Sequence, residues 1–244
     1  MCYNISMDRN LANILGYGVD TFSFENALDY IVQNKGHVIT LNPEMIECAS
    51  TNPEFSKIIH NANLVIPDGI GIQAGLKLLG HNVKRIPGID FGKELIKRAY
   101  SGNKKIALIG ATQDVIDNTV KNLRNEFENI NIIYWHNGYF DDVNVIYNDL
   151  IASSPDLVLV ALGSPKQEFF IYNLKSKLPE TVFIGLGGSF DVWSGFVKRA
   201  PELYQKTGFE WLYRLISDPK RLKRVFPTLP LFILKVIKER LTKK

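Results

Sequence analysis

Short apolar runs recur along most of the chain, each bounded by turn-forming residues: HVITLN at 37–42, NLVIPD at 63–68, KKIALIGA at 104–111, INIIYW at 130–135, DLVLVALG at 156–163 and TVFIGLGG at 181–188. Their length and β-branched content predict six buried strands. Between them lie segments with apolar residues at helical spacing. In TQDVIDNTVKNLRNEF, Thr112 is placed to cap a helix whose Val115, Val120, Leu123 and Phe127 approximate one face. FSFENALDYIVQN, NPEFSKIIHNA and FGKELIKRAYSG read the same way. Helices alternating with strands predict a three-layer α/β domain with a mostly parallel sheet. No repeat, low-complexity segment or Pro/Gly/Ser-rich linker interrupts residues 1–194, so one domain is expected there.

Beyond Phe190 the pattern turns helical. Asp218 followed by Pro219 makes an N-cap and N1 pair, which predicts a short helix, PKRLKRVF, stopping before Pro227. A last helix is expected from near Pro230, with Ile233, Leu234, Ile237 and Leu241 on one face and Lys235 and Lys238 elsewhere.

Charge sharpens this division. The 244 residues carry a net charge of +4, but residues 195–244 hold 13 Lys and Arg against 4 Asp and Glu, while residues 1–194 hold 16 against 21. A basic helical appendage at 195–244 therefore follows a weakly acidic core. Such a tail suits nucleic acid, an anionic membrane surface or an anionic substrate. The contiguous apolar face of LFILKVI favours the membrane surface over nucleic acid. Packing on its own domain, or on a second copy of the chain in solution, is the alternative.

With 45% hydrophobic residues the chain can bury a sizeable core. Its two cysteines, Cys2 and Cys48, argue against a disulfide framework and fit a reducing cytoplasm. The N-terminal MCYNISMDRNLANILG lacks the basic-then-apolar order of a leader, and no stretch is apolar enough to span a bilayer. A soluble chain is expected.

Ligands of open α/β sheets bind at the carboxyl ends of the strands. Those ends present Thr40 and Asn42 from TLNP, Asp68 from IPDG, Gly110 and Thr112 from IGAT, Ser164, Lys166, Gln167 and Glu168 from GSPKQE, and Gly185 to Asp191 from GLGGSFD. Asp68 before Gly69 reads equally as a cap for the next helix or as a reactive carboxylate. The glycines of GLGGSFD suit either close approach to a phosphate or a turn beneath a packed helix. IGATQD is too poor in glycine to be a G-x-G-x-x-G fingerprint, which leaves a dinucleotide-binding oxidoreductase weakly supported. The four histidines show no paired ligand spacing, and no D-x-D motif is present to hold a metal on a diphosphate. A G-x-S-x-G elbow is absent too, and Cys48 reads as a packed small residue. A non-catalytic membrane adaptor, carried by the tail alone, is the remaining class.

Taken in order, TLNPEM, VIPDGIGI, RIPGIDF, LGSPKQE, GLGGSFDVWSG, RAPE and GFEWLYRLISDPKRLKR resemble the WecG/TagA/CpsF family of bacterial glycosyltransferases over nearly the whole chain. The resemblance implies a Rossmann-like core and an inverting, metal-independent transfer from a uridine-diphosphate sugar to an undecaprenyl-diphosphate-linked sugar. N-acetylmannosamine, added to lipid-linked N-acetylglucosamine for wall teichoic acid, is the donor sugar it points to first. N-acetylmannosaminuronic acid or glucose, for another surface polymer, is the variant. It further implies that Asp68 is the base, that Thr40, Asn42 and Gln167 line the pocket, and that Arg85 contacts the acceptor. Gly187 and Gly188 would admit the uridine diphosphate, while Arg214, Arg221 and Arg224 of the tail would meet the charge of the leaving diphosphate. No cofactor is expected, and the implied location is the cytoplasm, peripheral on the inner face of the cell membrane.

Overall fold

The computed structural model describes residues 8–201, 204 and 219–242, with side chains of the last segment from Thr228 onward. It opens with a feature the apolar runs do not announce, an antiparallel hairpin of β1 (Leu11–Ile14) and β2 (Tyr17–Asp20). Its two-residue turn places Leu15 at φ 50° and Gly16 at φ 89°, the left-handed pair that tight hairpins need. Asp20, almost fully buried, holds the hairpin to the domain. It accepts both Arg9 fork nitrogens at 2.8 Å and the Val65 N–H at 2.8 Å.

Each of the six predicted runs forms a strand: β3 (Gly36–Leu41), β4 (Leu64–Pro67), β5 (Ile106–Gly110), β6 (Ile132–His136), β7 (Leu157–Ala161) and β8 (Val182–Gly185). They build one sheet in the order β4-β3-β8-β7-β5-β6, every neighbouring pair parallel. The Rossmann-like α/β architecture expected from the sequence is the one observed.

Helices α1 (Phe24–Asn34), α2 (Pro43–Thr51), α3 (Pro53–His60), α4 (Ile70–Leu78), α5 (Gly88–Ser101), α6 (Gln113–Glu126), α7 (Val143–Ser153), α8 (Lys166–Lys175) and α9 (Ser189–Trp193) cover the sheet. Side-chain caps start several of them: Ser23, Asn42 and Asn52 accept the N–H groups of Asn26, Met45 and Phe55. Thr112 occupies the N-cap of α6 but makes no side-chain cap bond, so the start of that helix was legible and its expected device was not used. One face of the sheet packs on α1, α5, α6 and α9. The opposite face packs on α2, α3, α4 and the hairpin at one end, and on α7 and α8 at the other.

The tail departs from its expected division. Residues Pro219–Thr242 form one helix, α10, which runs through Pro227 and Pro230 where a break was expected. Asp218, the expected cap, lies outside the described residues. A proline inside a helix costs about 3 kcal/mol, and fully burying a Phe or Val side chain returns roughly 1.5–3 kcal/mol. Phe232 and Val236 are completely buried among α2, α4 and the hairpin, which fixes the helical path that local propensity opposes. The groove they enter is made by missing side chains. A Cβ on Gly71 would meet Pro43 at 2.6 Å and Leu229 at 3.3 Å, and one on Gly75 would meet Ile14 at 2.6 Å and Phe232 at 3.3 Å. Two glycines one turn apart therefore let α10 lie close on α4. Glu239 then accepts the Leu15 N–H at 2.9 Å, tying the helix to the hairpin turn.

Candidate functional site

Strands β3 and β8 are neighbours, yet the helices that leave them, α2 and α9, pack on opposite faces of the sheet. This makes their carboxyl ends a topological switch point, the place where doubly wound sheets bind ligands. Three of the strand-end motifs meet at this point.

Thr40, near the end of β3, is buried and donates its hydroxyl to the Gly185 carbonyl of β8 at 3.3 Å. Asp68 follows β4, its N–H bonded to the Leu41 carbonyl at 2.8 Å. The sequence left it open whether this carboxylate caps α4. Gly69, at φ 93°, takes the N-cap position of α4. The Asp68 Oδ2 lies 3.3 Å from where a Cβ on Gly88 would sit, and the Thr40 methyl lies 2.9 Å from the same point. Thr40 and Asp68 thus both border the first turn of α5. Only glycine at position 88 lets them approach it. Asp68 is half-buried, reachable by a ligand.

Asn42 sits one residue beyond β3, where its Oδ1 accepts the Met45 N–H at 3.0 Å and so caps α2. Arg85 precedes Ile86, whose N–H bonds to the Pro67 carbonyl at 2.9 Å, so the RIPG segment lies beside the end of β4 and Asp68. Gln167, in the first turn of α8, is buried. Its Oε1 accepts the Gly187 N–H at 3.0 Å and its Nε2 donates to Glu168 at 2.8 Å. Gly185 has no Cβ because one there would meet Gln167 Nε2 at 2.5 Å. Gly187 takes φ 47°, and Gly188 forms the N-cap of α9.

Of the tail arginines, Arg221 and Arg224 lie on the α10 backbone with their side chains outside the described residues, and Arg214 is not among those described. The α10 backbone nevertheless runs along α4, the helix that follows Asp68. Leu229 touches the first turns of α4 and α2 at Gly71 and Pro43, at the carboxyl edge of the sheet. Rising about 1.5 Å per residue, the ten residues before Leu229 carry the helix beyond that edge.

Two motifs whose roles the sequence did not reveal prove to be one device. Arg199 of RAPE forks onto both carboxylate oxygens of Asp90 of RIPGID at 2.6 and 2.8 Å, fastening the segment that leads into the tail to the first turn of α5. Glu168 was visible only as one polar residue among several. Burial pushes its carboxyl up from the ordinary carboxylate range, against the opposing pull of Gln167 and Ser164. Among the described residues no cluster of three His, Cys, Asp or Glu side chains converges as a metal site.

The parallel sheet, with helices on both faces and Thr40 and Asp68 at its carboxyl edge, is that of a doubly wound α/β protein. The chain belongs to the WecG/TagA/CpsF family of glycosyl transferases, whose profile matches residues 12–244. It is 42% identical over 217 residues to the N-acetylglucosaminyldiphosphoundecaprenol N-acetyl-beta-D-mannosaminyltransferase of Bacillus subtilis (strain 168), covering 88% of this chain and 84% of that protein. The protein of the same name from Bacillus spizizenii is 39% identical over 211 residues, 86% of this chain and 82% of the relative.

Proposed function

We propose that this glycosyltransferase moves N-acetylmannosamine from UDP-N-acetylmannosamine to the N-acetylglucosamine of an undecaprenyl-diphosphate acceptor, with inversion and a β-1,4 linkage, in building the linkage unit of wall teichoic acid. The names of both Bacillus relatives support the acceptor and the sugar. Within the chain, the reading is carried by Asp68: a half-buried carboxylate at the carboxyl end of a parallel strand, beside the first turn of α5.

In this reading Asp68 takes the proton of the acceptor hydroxyl as that oxygen bonds to the anomeric carbon. The bond from the same carbon to the diphosphate breaks on the opposite face, UDP leaves with the electron pair, and the configuration inverts. Thr40 and Asn42 line the β3 side of the pocket and Arg85 faces the acceptor. The Gly187 N–H is already taken by Gln167, so the Gly188 amide and the bare Cα atoms of the loop are what remain for the diphosphate. Negative charge gathering on UDP is met by the basic tail, with Arg214, Arg221 and Arg224 as the candidates, rather than by a divalent ion. Residues 195–244 serve as the appendage that brings this site to the bilayer surface where a lipid acceptor resides.

UDP release from a panel of donors, measured with a short-chain lipid-diphosphate N-acetylglucosamine and vesicles present, tests this. Acceptor-dependent release is expected with UDP-N-acetylmannosamine. In Asp68→Asn it should fall by about 10²- to 10⁴-fold while UDP still binds. Turnover with UDP-N-acetylmannosaminuronic acid or UDP-glucose instead would keep the chemistry and change the sugar. Full activity in Asp68→Asn would remove the base.

A further inference from the structure

We infer that Glu168 is a positioning residue of this site: its buried carboxyl fixes the side-chain amide of Gln167 so that the loop after β8 is held in the form that receives the donor's diphosphate. The chain of contacts is short and directional. Glu168 Oε1 accepts from Gln167 Nε2 at 2.8 Å, Gln167 Oε1 accepts from the Gly187 N–H at 3.0 Å, and Gly187 adopts the left-handed φ of 47° in between β8 and α9.

A side-chain amide has two nearly isosteric orientations, and only one of them presents oxygen to an N–H. Gly187 offers a donor, so Gln167 must aim Oε1 at it. Glu168 Oε1 accepts from the NH₂ end of the amide, which matches that orientation. Were the amide reversed, its oxygen would face the Glu168 carboxylate and its NH₂ would face the Gly187 N–H, two repulsions at once. Gly185 completes the fit, because any Cβ there would strike Gln167 Nε2. Three motif residues from two elements thus converge on the placement of one loop amide.

Helix stability alone does not account for the residue. Glu168 stands in the first turn of α8 but is 1% exposed, and its second oxygen, Oε2, is buried with no partner at hydrogen-bond distance among the described residues, so the pull of Ser164 does not amount to a full bond there. An exposed acid would serve the helix N-terminus without that loss. A buried carboxyl with an unmet oxygen is destabilising in itself, so its presence is explained by what its other oxygen does.

The inference rests on the proposed donor site, and the experiment separates the two. Amide hydrogen exchange at Gly187 reads the clamp without any ligand, and binding of UDP against uridine reads its purpose, since uridine lacks the diphosphate. Glu168→Met, which keeps the shape and loses the acceptor, is expected to speed Gly187 exchange at least about tenfold. It should weaken UDP by a similar factor and leave uridine unchanged, with the melting temperature as the check on folding. Glu168→Gln, which restores an acceptor, should recover most of both losses. Unchanged Gly187 exchange in Glu168→Met, or equal losses for UDP and uridine, would overturn the inference. Failure of the unaltered protein to bind UDP would instead defeat the donor reading, and Gly187 exchange would still decide whether the clamp exists.

Discussion

At the scale of single residues, the buried histidine is the one whose protonation the fold forbids. His37 on β3 is fully buried, neither ring nitrogen has a hydrogen-bond partner, and burial, with Lys175 adding a smaller push, drives its pKa down from 6.5 to about 3. The unfolded chain therefore binds a proton below about pH 6.5 that the folded chain refuses. Stability on this account is flat above pH 6.5 and falls as pH drops through the window from 6.5 to 3, by roughly 1.4 kcal/mol at pH 5.5. Urea midpoints of the unaltered protein and His37→Leu at pH 7.5 and 5.5 check this: the variant should lose less on acidification by about that amount. The residue scale is also where reading the sequence reached its limit. Thr40, Asp68, Gln167 and the GLGG glycines were all legible as strand-end residues, because strand ends can be located from local apolar pattern. That Gln167 spends its amide oxygen on Gly187 was not legible, since that partner is set by the meeting of β8 and α8 in space.

At the scale of elements, α10 and α4 show how a helix chooses its buried side. The apolar positions Ile233, Leu234, Ile237 and Leu241 suggested one face, and they are the exposed ones, with Leu234 at 64% and Leu241 at 67% exposure. The buried side is the narrower pair Phe232 and Val236, which fits the groove left by Gly71 and Gly75. Phe232→Ala should loosen α10 by about 3–5 kcal/mol, seen as faster amide exchange along Leu229–Thr242 with little change in the central strands. Gly75→Val should do the same from the opposite side of the contact, because its branches would collide with Ile14 and Phe232. Removal of everything after Ser194 is expected to expose Ile72, Leu76 and Met45, which pack with Phe232 and Val236, and to lower solubility rather than leave an intact core.

At the scale of the molecule, the helix that closes the core also turns an apolar strip outward. No helix among the described residues is long and apolar enough to cross a membrane. In the docking role proposed for the tail, the exposed strip of Ile233, Leu234, Ile237 and Leu241, close in sequence to Lys238 and Arg240, is the surface that meets the bilayer. Leu234→Glu with Leu241→Glu should leave the melting temperature within a few degrees, because both side chains are already in water. Binding to anionic vesicles should fall at least about tenfold, since even partial burial of one leucine contributes on the order of 1.5 kcal/mol. Co-sedimentation with vesicles across a salt series measures it, and binding equal to the unaltered protein would remove the strip from the docking surface.

The sequence by itself determined the six strands, the parallel α/β class, the acidic core and basic tail, and the ordered motifs of the family. All of these are written in short windows of chain, where apolar period, turn residues and charge act on near neighbours. Tertiary structure alone decided that Asp68 meets the first turn of α5, that the tail helix continues through two prolines, and that RAPE and RIPGID join through Arg199 and Asp90. Each of those outcomes depends on a surface brought from elsewhere in the chain: the first turn of α5, the glycine groove of α4, the Asp90 carboxylate. A local pattern states that a side chain will be buried or charged, and only the assembled fold supplies what it meets.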